Sequence, residues 1–284
     1  MFYSKNFQDP ATAVMEGIID FHHDLQFVLI VIVTFVGWML FSIVFEFGYK
    51  LYINKNIALE DTLEARRFLL VTGKLTHGTV LEIIWTLIPI AVLITIAIPS
   101  FSLLYAIDEM FDPELTIKVT GHQWYWSYSY VSKPILVKGV YIQPNNTFDS
   151  YMISENDLQL GEHRLLQVDK QLIVPAYTAL RFLITSVDVI HSWAVPSLGI
   201  KVDALPGRIN SANIYVKRLG IFYGQCSEIC GVNHGFMPIA VQVVTPTEFA
   251  LHKINLCLTQ LEEKTELQKD ITKINLVNKV ISIV

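Results

Sequence analysis

Cys226-Ser227-Glu228-Ile229-Cys230-Gly231-Val232-Asn233-His234-Gly235-Phe236-Met237 sets two thiols, an imidazole and a thioether at the spacing C-x3-C-x3-H-x2-M. Thiolates and thioethers are soft donors that suit copper, and a weak axial Met recurs at copper sites that transfer electrons. Two other readings stay open on these residues alone. The thiols could be buried structural cysteines beside a core Met, since free Cys behaves as a small hydrophobe. Structural zinc takes Cys and His only, commonly at C-x2-4-C spacing, and here no fourth Cys or His lies nearby. A copper site with nitrogen and sulfur ligands needs a second imidazole from elsewhere in the fold. His191, in Asp188-Val189-Ile190-His191-Ser192-Trp193-Ala194-Val195-Pro196, is the best candidate.

Around this loop, residues 108–242 break into short β-rich runs. Strands are expected at 115–119, 165–168, 179–185, 213–216 and 239–244, with breaks at Gly121, Pro134, Asn145-Asn146, Gly161, Pro175, Pro206-Gly207 and Gly220. Many short strands at this spacing indicate an antiparallel sandwich or barrel. In Gly121-His122-Gln123-Trp124-Tyr125-Trp126-Ser127-Tyr128-Ser129-Tyr130, strand geometry puts His122, Trp124, Trp126, Tyr128 and Tyr130 on one face and Tyr125 on the other. Aromatics at period two are either core packing or a contact patch for an electron donor.

The part before residue 108 has a different solvent in view. Hydrophobic residues make up 52% of the 284 and charged residues only 17%, which points to membrane spans beside a globular part. Residues 25–45 carry no charge, enough to cross a hydrocarbon core of ~30 Å as a helix. A second uncharged run covers 83–107 and includes Pro89 and Pro99, which membrane helices tolerate. The expected order is an amino-terminal segment (1–24), a span (25–48), a loop (49–80), a second span (81–107), a β domain (108–250) and a carboxy-terminal extension (251–284). The loop holds Lys50, Lys55, Arg66, Arg67 and Lys74, whereas the amino-terminal flank holds only Lys5. The positive-inside rule puts the loop in a bacterial cytoplasm or mitochondrial matrix, with both termini opposite. Within it, 58–71 reads as a helix on the membrane surface. Glu82 is either an ordinary interfacial acid or a mark of a proton path. The net charge of −5 argues against nucleic-acid binding. Three cysteines make no disulfide framework, and Cys257 stands alone in a tail that is either an amphipathic helix or a partly disordered end.

Six pieces now stand in order: EIIWT at 82–86, GHQWYWSY from Gly121, FDSYMI from Phe148, HSWAVPSLG from His191, DALPGR from Asp203, and YGQCSEICGVNHGFMPI from Tyr223. Together they resemble subunit II of cytochrome c oxidase, of the mitochondrial type. The resemblance implies a membrane α-helical hairpin followed by an all-β cupredoxin-like Greek-key barrel. It implies a dinuclear copper A centre bridged by Cys226 and Cys230, with His191 and His234 each on one copper. Met237 would be a weak ligand to one ion and the carbonyl of Glu228 to the other, while the Glu228 carboxylate would hold magnesium or manganese shared with subunit I. Trp124 matches the residue at which electrons enter from cytochrome c, Asp149, Asp169 and Asp188 match its docking acids, and Glu82 matches the mouth of a proton channel. The implied role is to accept electrons from cytochrome c and pass them to haem in subunit I, where oxygen is reduced to water and protons are pumped. The chain would sit with other oxidase subunits in the inner mitochondrial membrane, its copper domain in the intermembrane space. Ser129 departs from the family, which commonly has an acid there, and the longer segment 131–147 adds Lys133 and Lys138. A tethered copper carrier is opposed by the WYWSY run and Glu228, and the quinol-oxidising branch by the intact ligand set.

Overall fold

The structure, a computed structural model, describes residues 6–45, 77–109, 112–131 and 147–256, together with the backbone of 135–137 and 140–142. The helix expected at 58–71, Lys133, Lys138, and Cys257 with the tail that follows it lie outside the described residues.

Two long helices, α1 (Ala13–Ile43) and α2 (Thr79–Asp108), are long and apolar enough to cross a membrane, and their most apolar stretches are not buried within the chain. A helix apolar on every side and uncovered by its own protein needs lipid or partner helices around it. Pro89 and Pro99 both fall inside α2. Glu82 is exposed in the first turn of α2, where its charge complements the positive end of the helix dipole.

The apolar run begins at Leu25, but α1 begins at Ala13. The cause is a cap. Thr12 Oγ1 accepts from the Met15 amide at 3.1 Å, satisfying a free N–H of the first turn, and donates to the Leu198 carbonyl at 2.9 Å. The head of the helix is thereby tied to the β domain, and residues up to Gly17 group with that domain. Ala11 N–H donates to the Ser197 carbonyl, the Lys217 amide donates to the Ala11 carbonyl, and Lys217 Nζ meets Glu16 at 3.2 Å.

The β domain is two five-stranded sheets. One has the order β10-β7-β1-β2-β5, from β1 (Leu115–His122), β2 (Tyr125–Val131), β5 (Thr147–Ser150), β7 (Ala179–Ser186) and β10 (Asn210–Tyr215). The other has the order β6-β12-β11-β8-β9, from β6 (Leu172–Pro175), β8 (His191–Val195), β9 (Ile200–Ala204), β11 (Gly220–Cys226) and β12 (Pro238–Val244). Two short strands, β3 (Ile135–Val137) and β4 (Val140–Ile142), pair with each other and, among the described residues, with no other strand. Alternation drives burial: Ile117 and Val119 of β1, Trp126, Tyr128 and Tyr130 of β2, and Leu180, Phe182 and Ile184 of β7 join Leu172, Val174, Trp193, Val195, Ile239 and Val241 in one core. The arrangement bears out the two-helix, all-β reading.

Two local readings change. Residues 165–168 form a turn rather than a strand: Leu166 and Gln167 amides both bond the His163 carbonyl, and only Val168 bridges, to Met152. Local bonds had already consumed the donors that a ladder needs. The aromatic stretch is also not one strand. β1 and β2 meet in a tight hairpin at Gln123-Trp124, with His122 paired to Tyr125. Trp126, Tyr128 and Tyr130 hold the core face; His122 stacks on Tyr125 at 4.4 Å on the outer face, and Trp124 stands at the turn. The period-two count fails because a turn resets the alternation.

Phe182 is fully buried and stacks on Trp193 with ring centroids 4.9 Å apart. Phe182→Ala is expected to lower stability by about 3–5 kcal/mol, measured as the urea midpoint of the detergent-solubilised chain by tryptophan fluorescence. A loss below about 1 kcal/mol would show that the two sheets do not share this core.

Candidate metal centre

The donors come from two distant points of the chain, and strand pairing unites them. β8 and β11 run antiparallel with Cys226 opposite Trp193 and Gln225 opposite Ala194, and the Ser227 amide donates to the Ser192 carbonyl at 3.1 Å. His191, the first residue of β8, is thus brought beside the end of β11, where the cysteine loop begins. Its Nδ1 lies 4.0 Å from Cys226 Sγ, and Cys226 Sγ lies 4.0 Å from Cys230 Sγ. Cys230 Sγ is 3.6 Å from both His234 Nδ1 and Met237 Sδ, and the Glu228 carbonyl is 3.4 Å from Cys226 Sγ.

His191 is 0% exposed and Met237 1%; both cysteines are buried. The thiols are free, and their separation far exceeds the ~2.05 Å of a disulfide bond. Two thiols, two imidazole nitrogens, a thioether and a carbonyl oxygen gathered at these separations make a soft-donor set of the kind that suits copper. The residues fit the metal that the sequence pattern suggests.

The electrostatics of the cluster are set by burial and by its own hydrogen bonds. Burial works to raise the Cys226 thiol, but hydrogen bonds from His191, the Ser192 backbone, Glu228 and His234 together hold it below the usual thiol range. Burial and the neighbouring Cys226 sulfur push Cys230 upward. Burial alone would lower His191, yet contacts with Cys226 and Asp188 raise it. Protons thus share the space that metal binding would clear, since metal ligands are deprotonated thiolates and neutral imidazoles.

Around the donors, the other expected residues separate by place. Trp124 is half-buried, and its indole N–H donates to the Cys230 carbonyl at 3.3 Å, one residue's backbone from a donor sulfur. Gly231 permits this: its φ is +121°, and an added Cβ would come within 3.1 Å of the Trp124 ring. Glu228 turns an exposed side chain outward, beside Ile229 and Val232, 82% and 88% exposed. Asp149 is half-buried and accepts from Ser127 Oγ at 2.5 Å, and Asp169 is exposed and accepts from the Tyr151 and Lys170 amides. Asp188 instead faces inward to His191 Nε2 at 2.8 Å. Burial works to raise its carboxyl, but the hydrogen bonds it accepts from His191, Val189, Gln123 and Ser186 hold it below the usual range. Glu82 belongs to α2, in the other compact unit of the chain.

Sequence reasoning missed Gln123, whose Nε2 donates to the Cys230 carbonyl at 2.8 Å. It also missed Gly121, where a Cβ would sit 2.8 Å from His191 Cδ2, so that only glycine lets the ring lie against β1. Asp188 three residues before His191 was a legible signal, because ligating imidazoles commonly donate their second N–H to a carboxylate.

Fold and loop define the class: a β domain that follows two membrane-length helices and carries a thiol-rich loop able to hold a metal. Family models for cytochrome c oxidase subunit II match the chain, the periplasmic domain over residues 115–244 and the transmembrane domain over 1–66 and 64–103. A cytochrome c oxidase subunit 2 of Phytophthora megasperma is 52% identical over 247 residues, covering 87% of this chain and 85% of its own. A mitochondrial cytochrome c oxidase subunit 2 of Vigna unguiculata is 48% identical over 254 residues, covering 87% of this chain and 60% of its own. The solved periplasmic domain of subunit II of cytochrome oxidase from Bradyrhizobium japonicum is 42% identical, covers 53% of this chain and 99% of its own, and superposes with a TM-score of 0.46. The chain belongs to the cytochrome c oxidase subunit II family, the subunit through which electrons enter a haem-copper terminal oxidase. As such it is a membrane protein that associates with other oxidase subunits, and its family binds copper.

Gly231→Ala is expected to cost about 1–3 kcal/mol through backbone strain and to change the near-ultraviolet circular dichroism of the indoles. An unaltered midpoint and spectrum would show that Trp124 does not rest on this residue.

Proposed function

We propose that this chain carries a dinuclear copper A centre and, in the assembled oxidase, takes single electrons from cytochrome c and delivers them to haem in subunit I. The convergence of His191, Cys226, Cys230, His234 and Met237, with each neighbouring pair of donor atoms 3.6–4.0 Å apart, carries this reading. Cys226 and Cys230 would hold both ions, His191 and His234 one each, with Met237 and the Glu228 carbonyl as weaker ligands. When bound, the centre supplies a one-electron relay whose charge is shared between two ions.

The chain's own residues do the rest. Antiparallel pairing of β8 with β11 fixes the ligand strand against the ligand loop, so that no ligand has to move when charge changes. Core packing excludes water from His191, Cys226, Cys230 and Met237. Trp124, bonded through its N–H to the Cys230 carbonyl, offers a π surface between the solvent side and a donor sulfur. Asp149, Asp169 and Asp188 would steer a basic donor protein by long-range charge. The exposed Glu228 carboxylate is a hard oxygen donor suited to magnesium or manganese shared with subunit I. Glu82, at the start of α2, would stand at the mouth of a proton channel.

The lysines and arginines between the two helices support an orientation with that loop in the matrix and the copper domain in the intermembrane space. The mitochondrial relative from Vigna unguiculata supports the inner mitochondrial membrane.

Electron paramagnetic resonance of the assembled oxidase is expected to show mixed-valence dinuclear copper hyperfine; a single-copper spectrum from this subunit would sink the reading. Met237→Leu should retain copper while altering that spectrum, and no change would mean that Met237 is not a ligand. Trp124→Phe should slow electron transfer from cytochrome c with the copper spectrum intact. A lost spectrum in that variant would assign Trp124 a structural role.

A further inference from the structure

We propose that Asp188 is a positioning residue that ties His191 to the Gln123–Trp124 turn through the two oxygens of one carboxylate. The proposal rests on the copper reading of the cysteine loop and assigns Asp188 a task that charge-based docking does not require.

The geometry is specific. Oδ1 accepts from His191 Nε2 at 2.8 Å, from the Val189 amide at 2.7 Å and from Ser186 Oγ at 3.1 Å. Oδ2 accepts from the Gln123 amide at 2.6 Å. An ionised carboxylate only accepts, so His191 must carry its proton on Nε2 and aim the Nδ1 lone pair toward Cys226. The second oxygen holds the hairpin whose next residue is Trp124. From that hairpin, Gln123 Nε2 and Trp124 Nε1 both donate to the Cys230 carbonyl. Contacts therefore close a ring: Asp188 to His191, His191 to Cys226, Cys226 to Cys230, Cys230 to Gln123, and Gln123 back to Asp188. One carboxylate is the only link in that ring that touches neither thiol nor loop, and it sets the ligand and the aromatic turn in register.

Oδ1 of Asp188 is crowded by His191, Val189 and Ser186, whereas Oδ2 is held by the Gln123 amide, and the side chain is only 29% exposed. Asp169, whose carboxylate bonds only two amides near its own loop, contrasts with it.

The assembled oxidase separates charge from position through three variants. Asp188→Asn removes the charge and one acceptor oxygen; Asp188→Glu keeps the charge but moves the oxygens by a methylene. Both are expected to alter the copper hyperfine pattern and to lose copper to a chelator about 10-fold faster or more, the usual cost of losing a carboxylate behind a ligating imidazole. Asp169→Asn is expected to leave that spectrum unaltered while raising KM for cytochrome c in a salt-dependent manner. If Asp188→Asn fails to assemble, Asp188→Glu decides alone. An Asp188→Glu oxidase with an unaltered spectrum and unaltered copper retention would overturn the proposal. A missing dinuclear signal in the unsubstituted oxidase would instead overturn the copper reading beneath it.

Discussion

The register between β8 and β11 is the constraint on which the rest depends. Cys226 opposite Trp193 brings the head of one strand beside the end of another, and so brings His191 to a loop 35 residues further along the chain. A slip by one residue would turn every side chain of β8 to the opposite face. His191 would then leave the sulfur cluster and Trp193 would leave the core. The hydrophobic packing of Trp193 against Phe182 therefore guards the His191–cysteine cluster as much as the fold. Stability and ligand placement are enforced by the same contacts.

A second level of order surrounds the donors without supplying any. Gly121 lets the His191 ring lie close to β1, Gly231 lets the Trp124 ring lie close to the loop, and the Cys230 carbonyl gathers two side-chain donors from one turn. Each of these features removes freedom from a group beside the sulfur cluster. Rigidity around the sulfur cluster is thus a property of backbone spacing and hydrogen bonds.

Long uncharged runs, which have few alternatives in water, announced both membrane helices, and the cysteine loop was legible as a dense local pattern of soft donors. His191 was inferred by need, because the cysteine loop supplies one imidazole; the carboxylate three residues earlier, Asp188, was the local signal that went unread. The hairpin at Gln123-Trp124 escaped because strand periodicity carries no mark of where a tight turn interrupts it. The helical start at Ala13 escaped because a polar turn is decided by the Thr12 cap and by partners near residue 198, not by apolarity. The strand expected at 165–168 had suitable residues, but local turn bonds won over a ladder. Asp188 was read as surface charge, and its inward bonds depend on a loop whose course the sequence does not specify.

The tie between Thr12 and the Leu198 carbonyl has a further meaning for how the molecule comes into being. It closes a separation of 186 residues. The amides and hydroxyl of residues 11 and 12 are synthesised long before the residues at 197–217 that satisfy them. Closing so long a loop costs entropy that grows with the logarithm of its length, and such non-local contacts form late. The first helix therefore begins its life with a loose head, which becomes a fixed one only when residues 197–217 are in place. This seam records long-range folding: an intact seam marks a chain whose residues 197–217 have already taken their places.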